Sequence, residues 1–511
     1  MPTKPTHPVN MELFCPFCNS PGMRLLTYVA ESGAERYICM TCRKRTTQPM
    51  KEAKLILPEL DVNKFKCVKR FIVTSAVNDT PLVLNAHNTL KKMAELLGAE
   101  YLIIPGVYKN PDISTMGSFQ LMSWPKEIIP YSCNGDLELS DSIVIRGLTR
   151  IVYTAINPLS GMNHAGDIRS EIYGHPQVAM NLVATPKEMM PKMLHTTGSI
   201  SEKNYGGSKT AKKASFHHSL GGLLIEVEGD KFWVNNLSFD GKGVYLFNKY
   251  YTPDGVSESK STSAVVFGDT HVKFLSKKVD NLNKFVTKKL NVEKEVYHDL
   301  HDHNIGSHHS EGNVIGNLTK ALKNDFSLRD ELMLSVKFLD ERPNAIVVES
   351  NHHRHLDMWF NRTKPQNEHV NLPLYFELAE LLKRSLEKKG TTNLFRLFIK
   401  SYCKNDVTFV DGNRSYLIEG IDVSLHGDIG PNGSRGSAKS LSRTGFRTVV
   451  GHSHSPCIEK GCYQVGTSTL DLGYATGYST WMITNCIIYP NGKRMLYSIV
   501  KDKLSPLMRS L

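Results

Sequence analysis

No run of apolar residues in this 511-residue chain approaches the ~18 that span a bilayer. The start MPTKPTHPVN carries no apolar segment of signal-peptide type. Membrane insertion and secretion are therefore not expected, and a cytoplasm is the expected compartment. A disulfide framework is absent as well. Of ten cysteines, Cys67, Cys133, Cys403, Cys457, Cys462 and Cys486 show no paired spacing and read as reduced, partly buried thiols. There is no internal repeat, no long low-complexity tract, and no Gly-Lys-Ser/Thr run that would close a P-loop. Acidic residues are the scarcer charge, 50 against 62 lysines and arginines, for a net charge of +12. A basic surface attracts phosphate backbones, so the imbalance favours a polyanionic partner without specifying one.

The length exceeds what one hydrophobic core serves, and roughly two to four domains are expected. The first is marked by the remaining cysteines. Cys15 and Cys18 form CPFC, and Cys39 and Cys42 form CMTC, 20 residues further on. Each knuckle offers two thiolates to one ion, and the segment between them reads as two strands around a Ser-Gly turn. This spacing predicts a zinc ribbon over residues 1–50, in which one structural Zn²⁺ replaces a core that so short a segment cannot build. The basic stretch RKRTTQPMKEAK follows as a connector.

A second unit, an α/β accessory module over 66–248 that could contact nucleic acid, opens with the strand FIVTSAV. The amphipathic helix HNTLKKMAELLG comes next, with Leu90, Met93, Leu96 and Leu97 on its apolar side, and then the strand EYLIIPG. That order is a βαβ unit and predicts a parallel pair. Short strands continue to 240. Among them TTGSISEKNYGGSKTAKKASFHH, rich in Ser, Gly and Lys, reads as a surface excursion or a phosphate-contacting loop. His217 and His218 within it have no carboxylate neighbour and carry no assignment. A linker-like segment over 250–264 ends the unit.

The second half holds the chemistry. ESNHHRHLDMW, following the apolar run AIVV, gathers His352, His353 and His355 in a chain with 20 histidines. One such cluster is more often an exposed turn than a site. Here it has company. AVVFGDTHVKF ends a strand in Asp269 and His271, which alternate to the same side. EVYHDLHDHN places Asp299 after a second strand-like run, IDVSLHGDIG places His426 after another, and TVVGHSHSP adds His452 and His454. Five apolar runs, each followed at once by metal-type ligands, are where open α/β sheets build their sites.

The order DxH, D, NH, H, GHxH resembles the calcineurin-like metallophosphoesterase superfamily over 262–505. The resemblance implies an α/β fold whose C-terminal domain is a β-sandwich flanked by helices. It also implies two divalent ions, with Mn²⁺ expected first and Mg²⁺, Fe²⁺ or Zn²⁺ as alternatives. Asp269, His271, Asp299 and His454 would hold one ion, and Asp299, Asn351, His426 and His452 the other, with Asp299 bridging. His352 would be the catalytic histidine that contacts substrate and assists the leaving oxygen. Two such ions polarise a phosphoryl oxygen and generate hydroxide at neutral pH. Two positions depart from the family pattern: His298 stands where glycine precedes the bridging aspartate, and His353 where a carboxylate follows the catalytic histidine. Asp357 is then a candidate to orient His352, and Asp302 a competitor for the bridging role.

The substrate is less constrained, because one fold serves many esters. From Gly430 to Ile458 there is no acidic residue, while Arg435, Lys439, Arg443 and Arg447 fall between two expected metal ligands. Such a Gly- and Ser-rich loop can track a phosphate backbone or can be a solvated loop. The whole architecture also resembles the pre-early host-DNA-degradation proteins of large-genome siphophages. That likeness implies a metal-dependent DNase with DNA as its substrate, acting in the infected bacterial cytoplasm, with self-association left open. The alternatives are a protein or small-molecule phosphatase, or a nucleic-acid-binding regulator whose esterase domain is inactive.

Overall fold

A computed structural model describes residues 8–16, 18, 20–28, 34–47, 49–50, 57–108, 124–147, 149, 151–163, 167–305, 314–473 and 476–511. It is a mixed α/β structure. The N-terminal strands Val9–Phe14, Pro21–Tyr28, Glu35–Cys39 and Arg45–Thr46 form an antiparallel sheet of their own. Among the described residues its buried apolar cluster is Cys15, Met23 and Cys39. The Ser-Gly turn expected between the knuckles lies outside the described residues.

The expected βαβ unit is present. Arg70–Val77 and Glu100–Gly106 pair in parallel, joined by the helix Leu84–Leu97. Leu90, Met93 and Leu97 of that helix are buried, whereas Leu96 is exposed, so the apolar side is narrower than expected. Gly221–Glu228 and Lys231–Ser238 complete this four-stranded sheet.

In the second half, Ala264–Val266, Glu295–Tyr297, Ala345–Val348 and Thr408–Val410 run parallel, with helices in each connection. The antiparallel strands Thr484–Ile488 and Arg494–Ser498 extend the sheet to six. Period-2 alternation sorts its two faces. Val265, Tyr297 and Val347 pack against the helices Lys277–Lys289, Leu328–Asp340 and Asn351–Arg362. Ala264, Val266, Val296, Ile346 and Val348 point the other way, into a core shared with Val449 and Tyr463 of a second large sheet and with Phe71, Val73, Leu223 and Ile225 of the βαβ sheet. Each Val or Ile fully buried there contributes about 1.5–3 kcal/mol, and this is what fixes the strand ends in space.

That second sheet has ten strands and ignores the boundary expected near residue 250. Leu417–Ile418, Ile421–Asp422, Arg447–Val450, Cys462–Gln464 and Cys457–Glu459 continue directly into Met180–Val183, Lys192–Thr196, Ser170–Tyr173, Ile143–Arg146 and Leu137–Ser140. The junction is the antiparallel pairing of Met180 with Ile458. A second seam is polar. Asn236 donates to the Arg494 carbonyl at 2.9 Å and accepts from the Leu496 amide at 3.1 Å, and Asn235 donates to the Leu496 carbonyl at 3.1 Å. The segments 66–248 and 262–505 therefore share a sheet and both large cores.

The segment expected as a surface excursion around 196–218 is built differently. Lys209–His217 is a helix capped by Ser208, and His218 is a core histidine, its ring nitrogens lying 2.8 Å from the Tyr205 hydroxyl and 3.0 Å from the Ser201 carbonyl. Ser208 favours the cap over the loop because its hydroxyl accepts the free Ala211 amide of the first turn. Among the described residues no helix is long and apolar enough to cross a membrane.

Candidate metal centre

The strands just described deliver their carboxyl ends to one place. Asp269 lies three residues beyond Ala264–Val266, Asp299 two beyond Glu295–Tyr297, and Asn351 opens the helix that follows Ala345–Val348. His426 follows Ile421–Asp422, and His452 and His454 follow Arg447–Val450, which brings the second sheet to the same point. The chain leaves these strands in unusual conformations: His271, Asp299, His452 and His454 all have φ between +40° and +75°. Non-glycine residues seldom occupy that region, and such strain collects at functional sites.

Three groups of side chains result: His271, Asp302 and His352 form one, and the other two share Asp299. Potential ligand atoms of Asp269, His271, Asp299 and His454 lie within 4.8 Å of one another, as do those of Asp299, His426 and His452. In the first group His454 Nε2 is 3.1 Å from Asp269 Oδ2 and 3.2 Å from His271 Nε2. In the second, His426 Nε2 is 3.3 Å from Asp299 Oδ2 and 3.0 Å from Asn351 Oδ1. Asp299 belongs to both. The structure thus brings Asp269, His271, Asp299, Asn351, His426, His452 and His454 together, with His352 at the rim. Asn351, His352 and His452 are partly exposed while the other five are buried, so these three mark the mouth.

The electrostatics call for positive charge. Burial works against ionising Asp269 and Asp299, yet the histidines around them hold Asp269 down to about 2 and Asp299 well below the carboxylate range. Burial likewise disfavours a charged His426, but Asp299 and Asp269 raise its pKa to about 9. His271 is raised above its ordinary value by Asp302, Asp299 and Asp269 against the same burial. Asp299 Oδ1 and His454 Nδ1 are buried without a hydrogen-bond partner. Oxygen and imidazole donors left unsatisfied around shared carboxylates fit divalent cations, which take mixed O/N ligand sets.

Supporting residues that sequence reasoning left open now have places. Asp302 Oδ1 is 3.0 Å from His271 Nδ1, and the Asp302 carbonyl accepts from His352 Nδ1 at 2.7 Å. Asp302 is therefore a partner of two histidines and belongs to neither group that contains Asp299. Asp357 does not orient His352: its Oδ1 accepts the Leu394 amide at 3.0 Å, at the start of the helix Leu394–Tyr402. His298 fills its glycine-like position by turning Nδ1 to within 3.4 Å of His426 Nδ1. Burial pushes His298 down to about 4, so its ring is neutral, and which Nδ1 donates follows from the tautomers of the two rings. His353 leaves the site and stacks on Phe395, with ring centroids 4.1 Å apart. Gly451 is required by proximity, since a Cβ there would meet Asp269 Oδ1 at 2.3 Å. The HDLHD spacing was the available signal for Asp302, and the glycine of the GHxH run was the signal for Gly451.

The cysteines meet as expected. Cys15 and Cys42 sulfurs are 3.6 Å apart, and those of Cys18 and Cys39 3.5 Å. A tetrahedral ion at 2.3 Å from sulfur implies S···S of about 3.8 Å. Amides of Thr41 and Cys42 donate to Cys39 Sγ at 3.3 and 3.4 Å, as suits a thiolate. Burial raises the Cys18 thiol, but hydrogen bonds from Ser20 and the neighbouring cysteines bring it down to about 6.

Arg435, Lys439, Arg443 and Arg447 are all exposed. They follow the 3-10 turn Pro431–Gly433, with Lys439 in the short helix Ala438–Leu441 and Arg447 opening Arg447–Val450, the strand that leads to His452 and His454.

With the geometry in view, the chain is 27% identical over 459 residues to Protein A1 of Escherichia phage T5, covering 85% of this chain and 82% of that protein. No protein-family model matches the chain. No solved structure matches it.

Proposed function

We propose that the protein is a divalent-metal-dependent phosphodiesterase of calcineurin-like metallophosphoesterase type that cuts DNA, encoded by a phage and acting on host DNA in the bacterial cytoplasm. The observation that carries the reading is the pair of buried His/Asp groups sharing Asp299, opened to solvent at Asn351, His352 and His452. Similarity to a phage protein across most of the chain supports the source.

When bound, two divalent ions would polarise the phosphoryl oxygen and acidify an attacking water, with Mn²⁺ the first choice for this donor set. Asp269, His271, Asp299 and His454 would hold one ion and Asp299, Asn351, His426 and His452 the other. The remaining work falls to the chain. The Asp302 carbonyl can only accept, so Nδ1 of His352 carries a proton and Nε2, 3.9 Å from Asp299 Oδ2, faces the mouth. In its protonated form that imidazole can donate to a departing ester oxygen. Asp302 holds the ring of His271, and His298 that of His426, so that each presents Nε2 inward. Arg435, Lys439, Arg443 and Arg447 supply cations along the backbone of a polymer too long for the site itself, which favours DNA over a small ester.

The test is incubation with Mn²⁺ and plasmid, linear or single-stranded DNA, beside para-nitrophenyl phosphate mono- and diesters. DNA and diester cleavage is expected. Rapid monoester turnover with intact DNA under every divalent ion would replace this reading by a phosphatase.

A further inference from the structure

The helix Lys209–His217 sits outside the metal centre, and its pattern is inverted. Positions i, i+3, i+4, i+7 and i+8 of a surface helix form the stripe that is ordinarily apolar and faces the core. Here those positions are Lys209, Lys212, Lys213, Phe216 and His217, and they line a shallow depression of about 420 Å³ open to solvent. The helix is anchored instead by the small buried residues Ala211 and Ala214. Phe216 is 81% exposed, and its ring stands at 85° to that of His217 with centroids 5.1 Å apart. No acidic residue occurs from Lys203 to Ile225.

The loop before the helix is also tied down. The Gly206 amide donates to the Tyr108 hydroxyl at 3.1 Å, and the rings of Tyr108 and Tyr205 lie 5.6 Å apart. The stripe is therefore displayed from a seated element. It is also joined to the basic loop of the candidate site. His217 is held below its ordinary pKa by burial and then by Lys460, with Glu459 opposing. Lys460 and Gly461 form the turn between Cys457–Glu459 and Cys462–Gln464, and the Gly461 carbonyl accepts the Thr448 amide, next to Arg447, at 3.0 Å.

We propose that this stripe is a second nucleic-acid contact, in which Lys209, Lys212 and Lys213 track phosphates of a DNA single strand and Phe216 stacks an unpaired base. It rests on the nuclease reading and extends it to a substrate with unpaired nucleotides held away from the metals. Charge complementarity selects the polyanion, and an aromatic ring that offers a bare face rather than a polar edge selects bases over a duplex groove.

The experiment measures binding of fluorescent single-stranded and duplex oligonucleotides across a salt series, in a full-length Asp299→Asn background that prevents cleavage. The lysines and Phe216 are exposed, and alanine is a good helix former, so the folded background is retained. With Lys209, Lys212 and Lys213 all changed to Ala, the salt slope for single strands should fall by about two units, at ~0.7 per phosphate. Phe216→Leu should weaken single-strand binding by about fivefold or more, the lower end expected for one stacked base, leave duplex binding unchanged, and be rescued by Phe216→Trp. Single-strand affinity and salt slope equal to those of the background in all of these variants would overturn the second contact while leaving the nuclease reading intact. A background protein that binds neither DNA would overturn both.

Discussion

Two regions of this molecule gather metal-type ligands, and they do so by opposite means. The cysteine cluster is local: four thiols within 28 residues, from Cys15 to Cys42, supported among the described residues by an apolar core of three. The His/Asp centre is distributed, with ligands from Asp269 to His454 set at the ends of five strands from two sheets. Behind it stand the two large cores. In the first region an ion has to supply the folding energy, since so little surface is buried. In the second the fold supplies the energy to hold mutually repelling carboxylates and strained backbone, and an ion would find its place already made.

The sharpest way to break that contrast is to remove the shared carboxylate. Asp299→Asn should lower metal-dependent phosphodiester turnover by roughly several orders of magnitude, because two cations would lose the anion between them. Its melting temperature should stay close to wild type: asparagine tolerates positive φ well, and the residue has φ +40°. Wild-type turnover in Asp299→Asn together with loss in Asp302→Asn would exchange the two aspartates' roles.

The opposite result is expected at the cysteines. Cys15→Ser should release one zinc and abolish amide protection across residues 8–50, since a structural site of this kind supplies about 10–16 kcal/mol of apparent binding energy at neutral pH. Small-diester hydrolysis and the melting of the remainder should hardly change. Loss of that hydrolysis would mean that the ribbon shapes the distant centre and that the two regions are not independent.

A third comparison sets the centre against the loop beside it. Replacing Arg435, Lys439, Arg443 and Arg447 together by Ala should make the slope of log affinity for duplex DNA against log salt shallower by up to about four units, one counterion for each lost phosphate contact. Small-diester cleavage and sequence preference should be little affected, because these contacts position a backbone without reading bases. An unchanged slope would take the loop out of the substrate path.

The same contrast explains what could be read from the sequence. CPFC and CMTC carry their geometry in their spacing, and the DxH, NH and GHxH clusters sit where apolar runs stop, so both sets of residues were legible locally. What was not legible depends on pairing between distant segments. Nothing around Met180 announces that it will pair with Ile458 and carry one sheet across an expected boundary. Nothing in SKTAKKASFHH distinguishes a polar loop from a helix seated on two alanines, since Ser and Gly before it favour either. The burial of Leu97 but not Leu96 likewise follows from the sheet beneath, not from the helix period alone.

The smallest expected effect tests the most specific geometric claim, that orientation of the histidines comes from Asp302 and not from Asp357. Asp302 faces His271 Nδ1 with its carboxylate and His352 Nδ1 with its carbonyl. Only the first contact is lost in Asp302→Ala, because the backbone remains. A ligand histidine without its outer carboxylate binds metal about 10–100-fold more weakly, and that loss should appear as a raised Mn²⁺ requirement with turnover recovering at saturating metal. Asp302→Asn should lie between, since its amide oxygen still accepts from Nδ1 but brings no charge. Asp357→Ala should leave the Mn²⁺ requirement alone and cost about 1 kcal/mol of stability, the value of a hydrogen bond to one backbone amide. If the two alanine variants exchanged these behaviours, the histidines would be oriented from the helix Asn351–Arg362 rather than from the strand end, and the centre would owe less to the sheet than its geometry indicates.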